Sequence, residues 1–211
     1  MRLNMLDNLR WYKVRSWALA LALLAGCTDT AQQSTERPAE TSFAARKQNK
    51  VLLAGRWNDP PVVLVCSDVS VSEARIKRAL KYWQDLGYVF GPTVFMEPHS
   101  SCDTTWGTIM FRLPTQEELN NAINQQHLAT TKRYSFVNNS TVIVAADIYF
   151  QNDSAINRDW IVEHEIGHAL GWLHSRHPGH IMNAAWARSG KDSSGVTYNA
   201  YTTQTLEKRA K

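Results

Sequence analysis

Residues 162–174 read Val-Glu-His-Glu-Ile-Gly-His-Ala-Leu-Gly-Trp-Leu-His, and no other stretch constrains the fold as tightly. On a helix, His164 and His168 lie about 40° apart around the axis and about one turn apart along it, so both imidazoles reach one metal ion. Glu165 is turned away from that pair, which suits a group standing beside a metal-held water better than a ligand. A straight helix cannot aim a third side chain at the same ion. Gly171 accepts the positive φ of a helix end and lets the chain turn, and His174 returns from beyond the helix. Three neutral histidines leave a fourth zinc position open for water, the arrangement of a catalytic site and not of a closed structural one. At ordinary residue frequencies, chance places His164, Glu165, His168, Gly171 and His174 at this spacing in about one chain of this length in 10⁵. Two plainer readings use the same residues: histidines that only pack or cap a helix, and a metal that is bound without chemistry.

His164 to His174 resembles the long metzincin signature, H-E-x-x-H-x-x-G-x-x-H. The continuation Ser175-Arg176-His177-Pro178-Gly179-His180-Ile181-Met182 resembles the run into a metzincin Met-turn. The serine after the third histidine, the nearby proline and the spacing to Met182 are most similar to the matrixin branch. Asp147-Ile148-Tyr149-Phe150 is similar to the end of the matrixin edge strand. The resemblance spans Val142 to Met182. It departs at Asn183-Ala184, which replaces the usual continuation, and Ala184 leaves no tyrosine two residues after Met182 to act as the astacin-type helper. No cysteine-switch motif is visible.

The resemblance implies an α+β fold whose N-terminal part is α/β-like. It has a twisted mixed sheet, long helices including the active-site helix, and a small C-terminal subdomain entered after Gly171. It implies a monomeric zinc endopeptidase with one catalytic ion on His164, His168 and His174. Glu165 would be the general base toward a zinc-bound water, and Met182 an apolar floor under the histidines. An extended protein or peptide substrate would add as a strand to Val142–Tyr149, taken as the edge of the cleft.

The N-terminus reads as an export signal. Arg10, Lys13 and Arg15 precede Trp17–Leu24, an apolar run short for a bilayer span. Leu24-Ala25-Gly26-Cys27 resembles a bacterial lipobox, which implies removal of residues 1–26 and lipidation of Cys27. An ordinary secretory signal or an uncleaved anchor are the alternatives. Thr28 in place of aspartate points to the outer membrane. Residues 28–49, rich in Gln, Ser, Thr, Glu and Arg, read as part of a flexible tether spanning 27–50, and 51–211 as the catalytic domain.

The whole chain holds 23 basic and 19 acidic side chains, of which four and one fall in residues 1–26. The remainder is nearly neutral, so charge gives no support to a nucleic-acid partner. With Cys27 lipidated, Cys66 and Cys102 remain as a pair in an oxidising compartment, read as a disulfide over the alternative of two buried thiols.

Within the domain, strands are expected at Val62–Cys66, Thr93–Met96, Thr108–Phe111 and Ser140–Ala146. A helix capped by Ser72 runs to Leu86 with Ile76, Ala79, Leu80 and Trp83 inward, and Gly87 closes it. Thr115 with Glu118 forms a capping box for a helix to about Gln126. Asp159 is expected to cap the metal-binding helix, and Thr203–Lys211 to form a last short helix.

His177 and His180 stand near the site as candidate substrate contacts, shields or ligands of a second metal; the ordinary reading is solvated loop histidines. His99 and His127 carry no motif. Asp147, Asn152 and Asp153 offer an incomplete oxygen set for calcium, for which a polar turn is the plainer reading. Trp172 and Trp186 are candidates to line the cleft.

Three functions from different classes fit. They are a lipid-anchored zinc endopeptidase, a catalytically silent zinc-containing lipoprotein that binds peptides or cell wall, and a structural envelope lipoprotein. An intact Glu165 favours the first.

Overall fold

The computed structural model describes residues 51–202. The signal, Cys27, the tether and the expected Thr203–Lys211 helix lie outside the described residues. None of the described helices is long and apolar enough to cross a membrane.

Six strands form one mixed sheet: β1 (Arg56–Trp57), β2 (Val62–Val65), β3 (Thr93–Phe95), β4 (Thr108–Phe111), β5 (Ala129–Phe136) and β6 (Asn139–Phe150). The order β1-β6-β4-β2-β3 is parallel throughout, and β5 joins β6 antiparallel. The apolar run of β2 buries Val63 and Val65, and all four residues of β4 are buried, as expected of parallel strands covered on both faces.

Strand β6 is not an edge. Ile143 pairs with Trp57 on one side and Ser135 on the other, and Ala145 with Thr108 and Tyr134. Thus β1 and β4 follow one another along one side of β6 while β5 covers the opposite side. This corrects the expectation that Val142–Tyr149 borders the cleft. The apolar character of that stretch reflects burial between two neighbours. Strand β5 takes the outer place, and among the described residues it pairs only with β6. Its polar sequence, Ala-Thr-Thr-Lys-Arg-Tyr-Ser-Phe, lacks the hydrophobic alternation that marks strands, so periodicity does not reveal it.

Helix α1 (Glu73–Asp85) starts at Ser72, whose Oγ accepts from the Arg75 amide, and ends before Gly87 at φ 94°. Ile76, Ala79, Leu80 and Trp83 are buried as the spacing predicts. Helix α2 (Gln116–Asn124) carries the reciprocal capping box of Thr115 and Glu118. After the short α3 (Asp153–Ile156) comes α4 (Ile161–Ala169), which packs against α1, β5 and β6. Its N-cap is Trp160 in the left-handed region, φ 63°, and not Asp159. A short 3₁₀ turn, Trp186–Arg188, follows the site.

Two interior features brace this frame. Arg75 of α1 grips Glu163 of α4 through two 2.6 Å hydrogen bonds, and the Trp83 indole donates to the Glu163 carbonyl oxygen at 2.8 Å. Asp147 is fully buried and accepts from Thr104, Arg112 and Tyr134, while Arg112 also holds Glu118. The Asp147 carboxylate is therefore committed to an arginine, and the Asn152 side chain caps α3; neither is left to form the calcium set. Cys66 and Cys102 are joined by a disulfide that ties the end of β2 to the loop before β4.

Candidate active site

Helix α4 is buried along almost its whole length. It presents His164 and His168 from one face, and Glu165 stands beside them. The helix stops because Gly171 adopts φ 105°, and a Cβ there would lie 2.0 Å from the Gly55 carbonyl oxygen. Gly171 O accepts from the Ala54 amide and Leu173 N donates to Leu52 O, which fixes the direction in which the chain leaves the turn. His174 is thereby brought back against the helix.

Donor hydrogens set the orientation of two rings. His164 Nδ1 donates to Ile181 O and His168 Nδ1 to Trp172 O, each at 2.7 Å. The Nε2 lone pairs of both rings are then free to point at an ion. The three ligand nitrogens lie within 4.8 Å of one another, with His168 Nε2 and His174 Nε2 3.0 Å apart. Tetrahedral zinc with Zn–N distances near 2.0–2.1 Å requires nitrogens about 3.3 Å apart. Three imidazoles at these separations fit zinc.

Glu165 is buried, and burial pushes its carboxyl up to about 7, opposed by the Thr131 hydroxyl. Thr131 Oγ1 donates to Glu165 Oε2 at 2.6 Å. Burial lowers the pKa of all three histidines; His164 lowers His168 and His174 further, and His180 does the same to His164.

Met182 is fully buried beneath the site. A Cβ on Gly167 would fall 2.4 Å from Met182 Sδ and 2.6 Å from the Trp83 ring, so the methionine packs directly on helix backbone. The turn that carries it is held by His180. His180 Nδ1 accepts from the Met182 amide at 2.9 Å and its Nε2 donates to Ser194 O at 3.0 Å. His180 is 1% exposed and is a structural histidine with both nitrogens used, which removes it as a candidate ligand or substrate contact. His177 is half exposed, 3.5 Å from Asp192. Trp172 is in the core with its indole N–H on Tyr88 Oη, and does not line the cleft.

A cleft of about 640 Å³ opens over the three histidines. Strand β5 lines it through Thr130, Thr131 and Arg133, and Asn183–Trp186 forms a further part of the wall. His127 lies at the rim. Asn183 secures its wall by donating to His177 O and accepting from the Ala185 amide. Sequence reasoning misses Thr131 and Arg133. Their contacts with α4 bridge 34 and 35 positions of chain, and no local spacing records them.

The matrixin family model matches residues 67–199, and no curated protein matches the chain. The matched span runs from just after β2 through α1, the histidine triad and the Met182 turn, and the mixed sheet and helices agree with it. The chain therefore belongs to the matrixins, the zinc metalloendopeptidases of matrixin type.

Proposed function

We propose that this chain cleaves internal peptide bonds of an extended protein substrate, with His164, His168 and His174 holding one zinc ion and Glu165 acting as general base. The observation that carries the reading is the convergence of three histidine nitrogens on the floor of an open cleft, with a buried carboxylate alongside. A zinc ion held there supplies Lewis acidity, lowering the pKa of water and polarising a carbonyl. Glu165 accepts the proton of the attacking water and delivers it to the amine nitrogen as the C–N bond breaks. Thr131 keeps one carboxylate oxygen occupied and so fixes the direction of the other. Met182 and Trp83 support α4 from below.

The substrate lies along β5. The edge left without a partner strand among the described residues offers backbone N–H and C=O groups beside Glu165, which suits strand addition. The cleft is complete within one chain, so a monomer suffices. The pattern of residues 10–27 supports a lipid-anchored exported protein, in the outer membrane if Thr28 sorts it; labelled palmitate should enter the chain and fail to enter Cys27→Ala.

The deciding assay compares wild type with Glu165→Gln, zinc content matched, on an unfolded protein. Cleavage should fall at least about 10³-fold, the upper part of the range for losing a positioned base. Equal silence from both zinc-loaded proteins would favour the peptide-binding lipoprotein instead.

A further inference from the structure

The β5 wall carries a cation that the mechanism above does not use. Arg133 stands two residues after Thr131, so the two side chains share one face of the strand. Thr131 meets Glu165, and Arg133 Nη1 donates to His168 O at 2.9 Å. The strand thus tracks α4 from the base toward its C-terminal end, and Arg133 lines the cleft there.

Arg133 is half-buried, and among the described residues it has no carboxylate partner. Arg75 and Arg112, whose side chains are likewise largely withdrawn from solvent, are each neutralised by acids. Nε and Nη2 of Arg133 make no hydrogen bond among the described residues, yet no fully buried polar side-chain atom is left without a partner. Those donors therefore keep contact with solvent, on a residue that lines the cleft. A guanidinium stays charged under this degree of burial, and a partly desolvated cation without a counter-charge gains most when a ligand supplies one.

We propose that Arg133 is a specificity-determining residue that selects an aspartate or glutamate side chain in the substrate, two positions from the residue facing Thr131. The proposal rests on the strand-addition reading above. Directly opposed residues of paired strands point to the same face with Cβ atoms about 4.5–5.5 Å apart. The substrate residue opposite Arg133 thus offers its side chain to the guanidinium. Its carboxylate accepts from Nε and Nη2 as a two-pronged pair, while Nη1 stays on His168 O.

The test walks a single glutamate, with glutamine as its control, along an otherwise neutral peptide. Two readouts are taken on the zinc-loaded full chain: kcat/KM with wild type, and Kd by fluorescence anisotropy in a Glu165→Gln background that does not cut. At one position glutamate should improve both by about tenfold over glutamine, or ~1.4 kcal/mol, and Arg133→Gln should bring the two peptides to within about twofold of each other. Arg133→Glu should transfer the preference to lysine at the same position. Absence of any position favouring glutamate would overturn the proposal. So would an equal loss on both peptides in Arg133→Gln, which would reduce Arg133 to a cap on the end of α4. If wild type cuts neither peptide but Glu165→Gln binds the glutamate peptide preferentially, the peptidase reading fails and the Arg133 assignment stands. Cleavage without a glutamate preference upholds the peptidase reading and overturns the Arg133 assignment.

Discussion

Gly167 shows how tightly single residues are specified beneath the site. The Cβ of an alanine there would enter Met182 Sδ and the Trp83 ring, both fully buried. Alanine gains about 1 kcal/mol over glycine in helix propensity. Overpacking costs about 1–3 kcal/mol, so Gly167→Ala should lower the melting temperature and weaken zinc affinity as α4 shifts; an unchanged melting temperature would contradict the packing described. The histidines set the pH range of metal retention. A ligand imidazole must be neutral, and burial lowers all three pKa values below the ordinary 6.5. Protonation therefore competes only below about pH 6.5. Zinc measured after dialysis should be fully retained at neutral pH and lost as the pH falls below that value. Glu165 acts as a base only when ionised, and in the metal-free protein its carboxyl is raised to about 7. A cation alongside favours the carboxylate, so the acid limb of kcat/KM should lie below pH 7.

Among elements, the contact of α1 with α4 decides whether the metal helix is held in place. Arg75 and Glu163 are 8% and 2% exposed at their side chains, and each is the other's main counter-charge. Removing one partner leaves a buried charge, which costs about 3–5 kcal/mol. Glu163→Ala should lose about that much in denaturant unfolding even though Glu163 does not line the cleft. A loss near that of an exposed pair, such as Lys77 with Glu73, would show that water reaches Arg75. Strand β5 is the second decisive element. Its hydroxyl and guanidinium meet α4 at Glu165 and His168, so the outer strand of the sheet also touches the helix that carries the histidines.

Over the whole molecule, the disulfide between Cys66 and Cys102 closes a segment of 36 residues that contains α1 and β3. Loop-closure entropy assigns such a bridge about 4 kcal/mol. Reduction should lower the melting temperature by a corresponding amount. Neither cysteine lines the cleft, so activity at low temperature should survive reduction. A chelator should also lower the melting temperature, through loss of binding energy to the folded state, and added zinc should restore it.

The metal centre is legible in the sequence because its geometry is local. Helical spacing fixes His164 and His168, and Gly171 is required where φ is 105° and the Gly55 carbonyl passes close by. Ser72, Thr115 with Glu118, and the inward stripe of α1 are legible for the same reason: caps and periodicity act over three or four residues. The wall of the cleft is not. β5 has the polar sequence of an edge, and only its backbone pairing with β6 makes it a strand. The Val142–Tyr149 run reads as an edge and is interior, since apolar content reports burial but not which neighbours provide it. The buried His180 is indistinguishable from a loop histidine until the fold sets Met182 and Ser194 on either side of it. Sequence spacing determined which three histidines could hold a metal ion, and tertiary structure alone decided what shares the cleft with them, because those contacts join positions that no local regularity links.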